Sequence, residues 1–497
     1  MGVEGPPRAR SPDRRCEDDA QRTRTERFGL SLPGASVVRQ RVAPCAAPKP
    51  ENRRLIRHLR QRIDAWGDAD KVFANSGWLI LDTLLRIALV VGLNAAMTRS
   101  LDPTEFGTLR TAMAFVGLAS AFSNLGLAGI LVRELARAPE DANEILGTTS
   151  VLYAAGAFSS IAMCAGLGYR LYADDLSKLL LVLILTLGVF FHPARVYDRW
   201  FQYRVRSKVA VIAKGVASVG SMVGMFVAAF LKAPVWVFAA VAVSDMVLSG
   251  IALAIVGAFR KDVPSKLTFS WTRAKYLLSE SWPLVLSVVA ARIYLKLDQV
   301  MIDQMLDEAT VGLYAAAADV SERWYFIPTA IAASALSGMV TRLKDDREKY
   351  EAQRQDLYDL MVLMAAGIVV VVWVCAEPLM QLAYAPDPAG AAAVLRVHIL
   401  ACPFIFMAKV LSKAIVAEGY VRFSIVRHSA GAVVNVVLNL LLIPRYGALG
   451  AAWATLVSYA AASYFICVVH PDARQSMGQM TRSLVAPIRI FLPRRRG

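Results

Sequence analysis

Charge is scarce in this chain. Of its 497 residues only 19% are Asp, Glu, Lys or Arg, whereas 56% are hydrophobic. Soluble domains carry roughly a quarter charged residues, and the mean hydropathy here is +0.45. A soluble multidomain enzyme is excluded on those grounds. Cysteine is also sparse. The six, at Cys16, Cys45, Cys164, Cys375, Cys402 and Cys467, form no CxxC pair, so neither a disulfide framework nor a zinc site follows, and they read as small packing residues. The five histidines are dispersed. There is no P-loop, no dinucleotide glycine fingerprint, no HExxH and no nucleophile elbow. No metal or cofactor is expected. The N-terminal tail lacks the apolar segment of a signal peptide.

What the chain has instead is apolar blocks of about twenty residues, the length that crosses roughly 30 Å of hydrocarbon. They fall at 74–97, 108–131, 145–168, 177–194, 209–231, 235–259, 281–304, 310–338, 357–384, 391–416, 424–443 and 447–469. The expected fold is all-α: a polytopic membrane protein of about twelve transmembrane helices in two six-helix lobes. The pairs 209–231/235–259 and 424–443/447–469 are expected to be tight helical hairpins. Residues 1–71 read as a disordered basic tail, 72–265 as the first lobe, 266–470 as the second, and 471–497 as a basic C-terminal tail.

The net charge of +16 would suggest nucleic acid in a soluble protein. Here the basic residues cluster between apolar blocks, so no nucleic-acid partner is expected and the bilayer is. The tail, "HPARVYDRWFQYRVRSK", "FRKDVPSKLTFSWTRAK", "TRLKDDREKYEAQR" and the C-terminal "RSLVAPIRIFLPRRRG" are basic, and the alternate loops are poor in Lys and Arg. The positive-inside rule puts both termini in the cytoplasm.

The two halves share a short repeat. In "SLDPTEFGTL" and "MLDEATVGLY", Leu101, Asp102 and Gly107 match Leu306, Asp307 and Gly312 at one constant offset, and Trp78 and Trp282 hold similar places. The repeat predicts two lobes related by an axis along the membrane normal.

Charges inside the blocks are few and grouped. Asp82 and Arg86 share a helix face in the first block. Arg292, Lys296 and Gln299 share one in the seventh. The eighth holds Asp319, Glu322 and Arg323, the fifth Lys214 and the sixth Asp245, while Lys409 and Lys413 lie near the cytoplasmic end of the tenth, where snorkelling is easy. A central charge facing lipid costs roughly 2.5–3.5 kcal/mol, so Arg86, Arg292 and Lys296 should face protein or a wet cavity. Asp82–Arg86 and Asp319–Arg323 are also readable as closed ion pairs that hold helices together, and Lys214 as a snorkelling residue. Lys296 has no evident carboxylate partner on its own helix face, because Asp298 points elsewhere. Cations without acids suit an anionic ligand.

Several stretches resemble one family. "NSGWLILDTLLRIALVVGLNAAMTRSLDPTEFGTLRTAMAF", "NLGLAGILVREL", "LKLDQVMIDQMLDEATVGLYAAAADVSERWYFIPTAI" and "LIPRYGALGAAWATLVSY" resemble, in order, segments of the polysaccharide repeat-unit (O-antigen, Wzx-type) flippases. These belong to the multidrug/oligosaccharidyl-lipid/polysaccharide (MOP) exporter superfamily. The resemblance covers about 75–470. It departs at Asp319, where the family often has Arg, and at Gly338, where it often has Pro. It implies alternating access in a bacterial inner membrane, with undecaprenyl-pyrophosphate-linked oligosaccharide as substrate and a polysaccharide polymerase or ligase as further partner. On that reading Arg86, Arg292, Lys296 and Arg323 would meet the pyrophosphate. Asn94, Asn124 and Gln299 would meet sugar hydroxyls, and Asp82, Asp245 or Asp298 would carry a coupling ion.

Three rivals are weighed. A multidrug exporter of the same superfamily would want an acid-rich cavity. A peptidoglycan-precursor flippase usually has about fourteen helices. A membrane-embedded glycosyltransferase or polymerase would want a large outer loop with a catalytic cluster, and the outer loops here are short; the protein is therefore not expected to be an enzyme.

Overall fold

In the helices, the polar residues of the loops act as caps. Asp102 accepts the Glu105 backbone N–H at 2.8 Å and Glu105 reaches back to the Asp102 N–H, closing a capping box. Asp175, Ser270, Asp307, Asp346 and Asp387 cap five further helices in the same way, each accepting from the backbone three residues on. At the five helices capped by Asp, the carboxylate also meets the positive end of the helix dipole.

The computed structural model describes residues 95–204, 207–260, 262–264, 266–384 and 386–485. The first apolar block therefore lies outside the described residues up to position 94, and with it Asp82, Arg86 and Asn94. The first lobe comprises α1 (Pro103–Ser123), α2 (Leu127–Arg137), α3 (Ala142–Tyr172), α4 (Leu176–Leu187), α5 (Arg195–Tyr203), α6 (Ser207–Phe230) and α7 (Val235–Phe259). The second comprises α8 (Trp271–Met305), α9 (Glu308–Glu322), α10 (Phe326–Asp345), α11 (Arg347–Val374), α12 (Ala376–Ala383), α13 (Pro388–His398), α14 (Cys402–Glu418) and α15 (Phe423–Ser463). No strand occurs among the described residues. Eight helical runs among them are long and apolar enough to cross a membrane. The runs from α8 and from α9–α10, the latter with a 3-10 turn at Arg323–Tyr325, are not among the eight. Large apolar side chains such as Phe158, Leu187, Val216, Phe230 and Val433 point outward. In a membrane protein that face meets lipid.

The expected hairpins take two forms. α6 and α7 are joined through Leu231–Pro234, with Lys232 at φ +50°. The second pair is nearly continuous: α15 runs through Pro444 and bends where Gly447 alone leaves helical geometry (φ +57°, ψ −138°). Two expectations for the basic segments are corrected. "HPARVYDRWFQ" is not a loop. A 3-10 turn (Gly188–Ala194) carries the chain past Pro193 and α5 continues to Tyr203. The C-terminal tail begins as α16 (Pro471–Leu484), which is held against the second lobe. Gln479 Oε1 accepts from Arg354 Nε at 2.7 Å, and Arg354 and Tyr350 both bind Glu418.

The lobes meet along α1–α3 on one side and α8–α9 on the other. The repeated glycines lie at the crossing. A Cβ on Gly107 would fall 1.6 Å from the Glu308 carbonyl oxygen. A Cβ on Gly312 would fall 3.0 Å from the Phe106 ring and 3.3 Å from the Pro103 carbonyl oxygen. Pro103 and Glu308 are themselves related by the offset of the sequence repeat, so the two contacts are reciprocal. That reciprocity is what a twofold relation between the lobes requires. Behind it, Ala315–Ala318 are fully buried, small side chains that let backbones approach closely.

Candidate functional site

The second apolar block is one helix broken in two. α1 ends at Ser123, and Leu125 and Gly126 turn the chain through left-handed geometry (φ +44° and +64°) before α2. The break frees Asn124, whose Oδ1 accepts from Arg195 Nη1 at 3.1 Å. Ser123 Oγ meets His192 Nδ1 across the same gap. Arg195 stands where the 3-10 turn passes into α5. Two irregular points, one in each of two neighbouring spans, thus put an arginine and an amide inside the first lobe. Irregular backbone at membrane depth is tolerated where it is buried in protein or lines a wet cavity.

Arg292, on α8 in the second lobe, lies within electrostatic reach of Arg195, and Arg199 of α5 adds a third guanidinium. Asp198 is the acid nearby, but Lys214 Nζ binds it at 2.8 Å. Lys214 is therefore paired rather than snorkelling. Arg292 is exposed and has no ion pair among the described residues. The seam between the lobes here carries an excess of guanidinium.

One turn further along α8 the balance reverses. Lys296 Nζ lies 3.0 Å from Glu322 on α9, so the expectation that this lysine lacks a carboxylate is overturned. The partner comes from the neighbouring helix. The Asp319–Arg323 pairing is looser than expected, at 4.0 Å, because Asp319 is taken by Arg110 of α1 at 2.5 Å. Asp298 is buried and accepts from the Tyr314 hydroxyl and from Thr455 Oγ1 at 3.0 Å. Its other oxygen has no partner among the described residues. Gln299 is buried beside it in sequence. Asp245 accepts from Ser218 Oγ at 2.7 Å within the α6–α7 hairpin, and the contact does not bring it to the Arg195–Arg292 cluster.

The seam is clasped at both ends. Toward the acidic loops, Lys178 Nζ lies 2.8 Å from Asp303 and 2.9 Å from Glu308, and Thr111 donates to Asp303 at 3.3 Å. Lys178 holds the Glu308 carboxyl below the usual glutamate range. Toward the basic loops, Arg273 of α8 binds Asp141 at 2.5 Å and Glu144 at 3.2 Å, and Arg133 binds Glu280 at 2.9 Å. Arg110, Lys178, Arg195 and Asp303 were not singled out in the sequence. Arg195 and Lys178 sat in segments read as loop or loop edge. Arg110 is one cation in an otherwise apolar block, the signal that would have found it.

Residues 72–337 match the family described as "Polysaccharide biosynthesis protein". The chain belongs to that family. A second match, to the MatE family, covers 283–441, within the second lobe. Among solved structures the fold resembles the lipid II flippase MurJ in an inward closed conformation, at 13% identity and TM-score 0.63, over 84% of this chain and 93% of MurJ. It also resembles an inward-facing multidrug resistance MATE family transporter of the MOP superfamily, at 15% identity and TM-score 0.64, over 80% of this chain and 96% of the transporter. Comparison with curated proteins gives no match. Family and fold together make this a multi-pass membrane transporter of the MOP superfamily.

Proposed function

We propose that this member of the polysaccharide biosynthesis family is a flippase for an undecaprenyl-pyrophosphate-linked oligosaccharide. It moves the substrate from the cytoplasmic to the outer leaflet of a bacterial inner membrane. The observation that carries the reading is the guanidinium cluster at the seam, Arg195 and Arg199 from one lobe and Arg292 from the other, whose neighbouring acid is already neutralised by Lys214. A diphosphate is the complementary ligand: guanidinium forks match its oxygens bidentately, and a desolvated site strengthens the contact. The family description supports a polysaccharide precursor.

The lipid tail stays in the bilayer while the head passes between lobes 72–265 and 266–470, both termini lying in the cytoplasm. Arg195, Arg292 and Arg323, with Arg86 outside the described residues, neutralise the diphosphate. Asn124 orients Arg195 and meets sugar hydroxyls when the lobes part; Gln299 and Asn94 extend that wall. Lys296 acts as an exchangeable cation, held by Glu322 until substrate displaces it. Asp298, half-satisfied and buried, is the favoured ion carrier over Asp245, which is engaged in a hairpin, and over Asp82. A polymerase or ligase then consumes the exported unit. The cation-exporter reading is disfavoured because Glu322 and Asp319 are each bound to a basic side chain.

The test is a deletion strain complemented with wild-type or Arg292→Ala protein, with lipid-linked oligosaccharide and surface glycan quantified together. Accumulated pyrophosphoryl-linked repeat units with lost surface glycan, uncorrected by Arg292→Ala at normal protein level, support the reading. Unchanged glycolipid in the deletion strain sinks it.

A further inference from the structure

A second group of cations lies inside the second lobe. Lys409, Ser412 and Lys413 are three and four positions apart on α14 and share a face. It is the part-accessible face of that helix, since Val410, Leu411, Ala414 and Ile415 are fully buried. Arg427 of α15 closes on it. This arginine is only 4% exposed. Its Nη2 donates to Ser412 Oγ at 2.8 Å and lies 3.2 Å from His428 Nε2. Its Nε is buried with no acceptor among the described residues. The other nitrogen of His428 is occupied by the Tyr294 hydroxyl of α8, at 2.7 Å. The charges of Arg427 and Lys413 bear on Lys409, which has no ion pair among the described residues.

Other buried cations show how unusual this is. Arg354 has Glu418 and Lys178 has Asp303, and the part-buried Arg110 has Asp319. Arg427, Lys409 and Lys413 form no ion pair among the described residues, and the polar contacts of Arg427 are to Ser412 and His428. A buried charge without a counter-charge is expensive, and an anion removes the expense. A fork with a free N–H beside two ammonium point charges suits a phosphate group. The group lies near the end where the basic loops gather, because Glu418 at the close of α14 is bound by Tyr350 and Arg354 of the basic segment that opens α11.

We propose that Arg427, Lys409 and Lys413 form an oxyanion site in the second lobe that binds a phosphate group, separate from the Arg195–Arg292 cluster. It does not depend on the flippase reading. A phosphate presented there comes from a lipid headgroup or from solution, and the contacts are the same.

The test is titration of the purified full chain, in neutral detergent at constant ionic strength, with inorganic pyrophosphate, followed by calorimetry. Arg292→Gln should keep one saturable site. Adding Lys409→Gln and Lys413→Gln to it should raise the Kd of that site about tenfold or more, the scale of losing charge-assisted bonds. Because Arg427→Gln removes a fully packed side chain and can unfold the lobe, the two half-accessible lysines carry the test, with gel filtration as the folding check. Unaltered binding in the lysine variant overturns the proposal, and so does loss of all binding in Arg292→Gln alone. Binding that ignores Arg292 but vanishes with the lysines upholds this site and removes the support for the seam cluster. Repeating the titration in phosphatidylglycerol against phosphatidylcholine nanodiscs separates the sources. Lysine-dependent competition by phosphatidylglycerol means a lipid headgroup, and lysine-dependent binding equal in both means a free anion. Either result supports the site.

Discussion

The helix α8 carries charge at two levels, and they behave oppositely. Near its end, Asp303 is fully enclosed by Lys178 and Thr111 of the first lobe, with Glu308 completing the set. Three turns earlier, Arg292 lies within electrostatic reach of Arg195 and has no ion pair among the described residues. Lys296 and Glu322 stand between as a part-accessible pair. Closed charges with their counter-charges fasten one lobe to the other, because leaving either partner alone in the membrane interior is costly. Uncompensated charges repel across the same seam and fall to lower energy when an anion enters. In one helix, the sign balance rather than the number of charges separates clasp from receiver.

Four measurements break or sharpen that contrast. The largest effect is expected at the receiver. Arg195→Gln with Arg292→Gln should cut transport about ten- to a hundredfold, the scale of one or two charge-assisted bonds, while the thermal midpoint in detergent holds or rises because repulsion is relieved. A large fall in the midpoint would make the arginines structural. Next comes the clasp. Asp303→Ala removes the buried partner of Lys178, leaving Glu308 and the more distant Asp175, and should lower stability by up to about 3 kcal/mol, read from thermal or denaturant unfolding; a neutral result would mean that the two remaining carboxylates suffice. Third, Lys296→Ala should impair transport, and Lys296→Ala with Glu322→Ala should recover part of it if Glu322 alone is the burden. No recovery in the double variant would give Lys296 a direct role. The smallest effect concerns pH. Lys178 depresses the Glu308 pKa, so this carboxylate adds stability above the ordinary glutamate value of 4.5 and loses it as the pH falls through the folded value. The wild-type midpoint should drop more steeply below about pH 4.5 than that of Glu308→Gln, and identical profiles would exclude the contribution.

Much of the fold was legible because bilayers demand long apolar runs and the loops segregate basic residues to one side. The repeat in "SLDPTEFGTL" and "MLDEATVGLY" was legible too, and its glycines prove to be the points where the lobes cross. The missed features share one cause. Arg195 looked like a loop cation because Pro193 and a run of basic residues mark a helix end in sequence, yet a 3-10 turn carried the helix onward. The partners of Lys296 and Asp319, namely Glu322 and Arg110, lie on other helices, where spacing along a single helix says nothing. Of the site residues read from sequence, Arg292 and Asn124 came together only through Arg195, while Asp245 stayed in its hairpin.

The sequence by itself determined the solvent, the helical class, the loop asymmetry and the presence of expensive charges within spans. All of these depend on local composition and on period along one chain. Which charges are neutralised was decided by tertiary structure alone. Lys178 with Asp303, Arg110 with Asp319 and Arg354 with Glu418 each join helices far apart in sequence, and the same packing leaves Arg427, Lys409 and Lys413 without an ion pair among the described residues. Electrostatic energy depends on distance through space in a medium of low dielectric, and only the packed helices fix those distances.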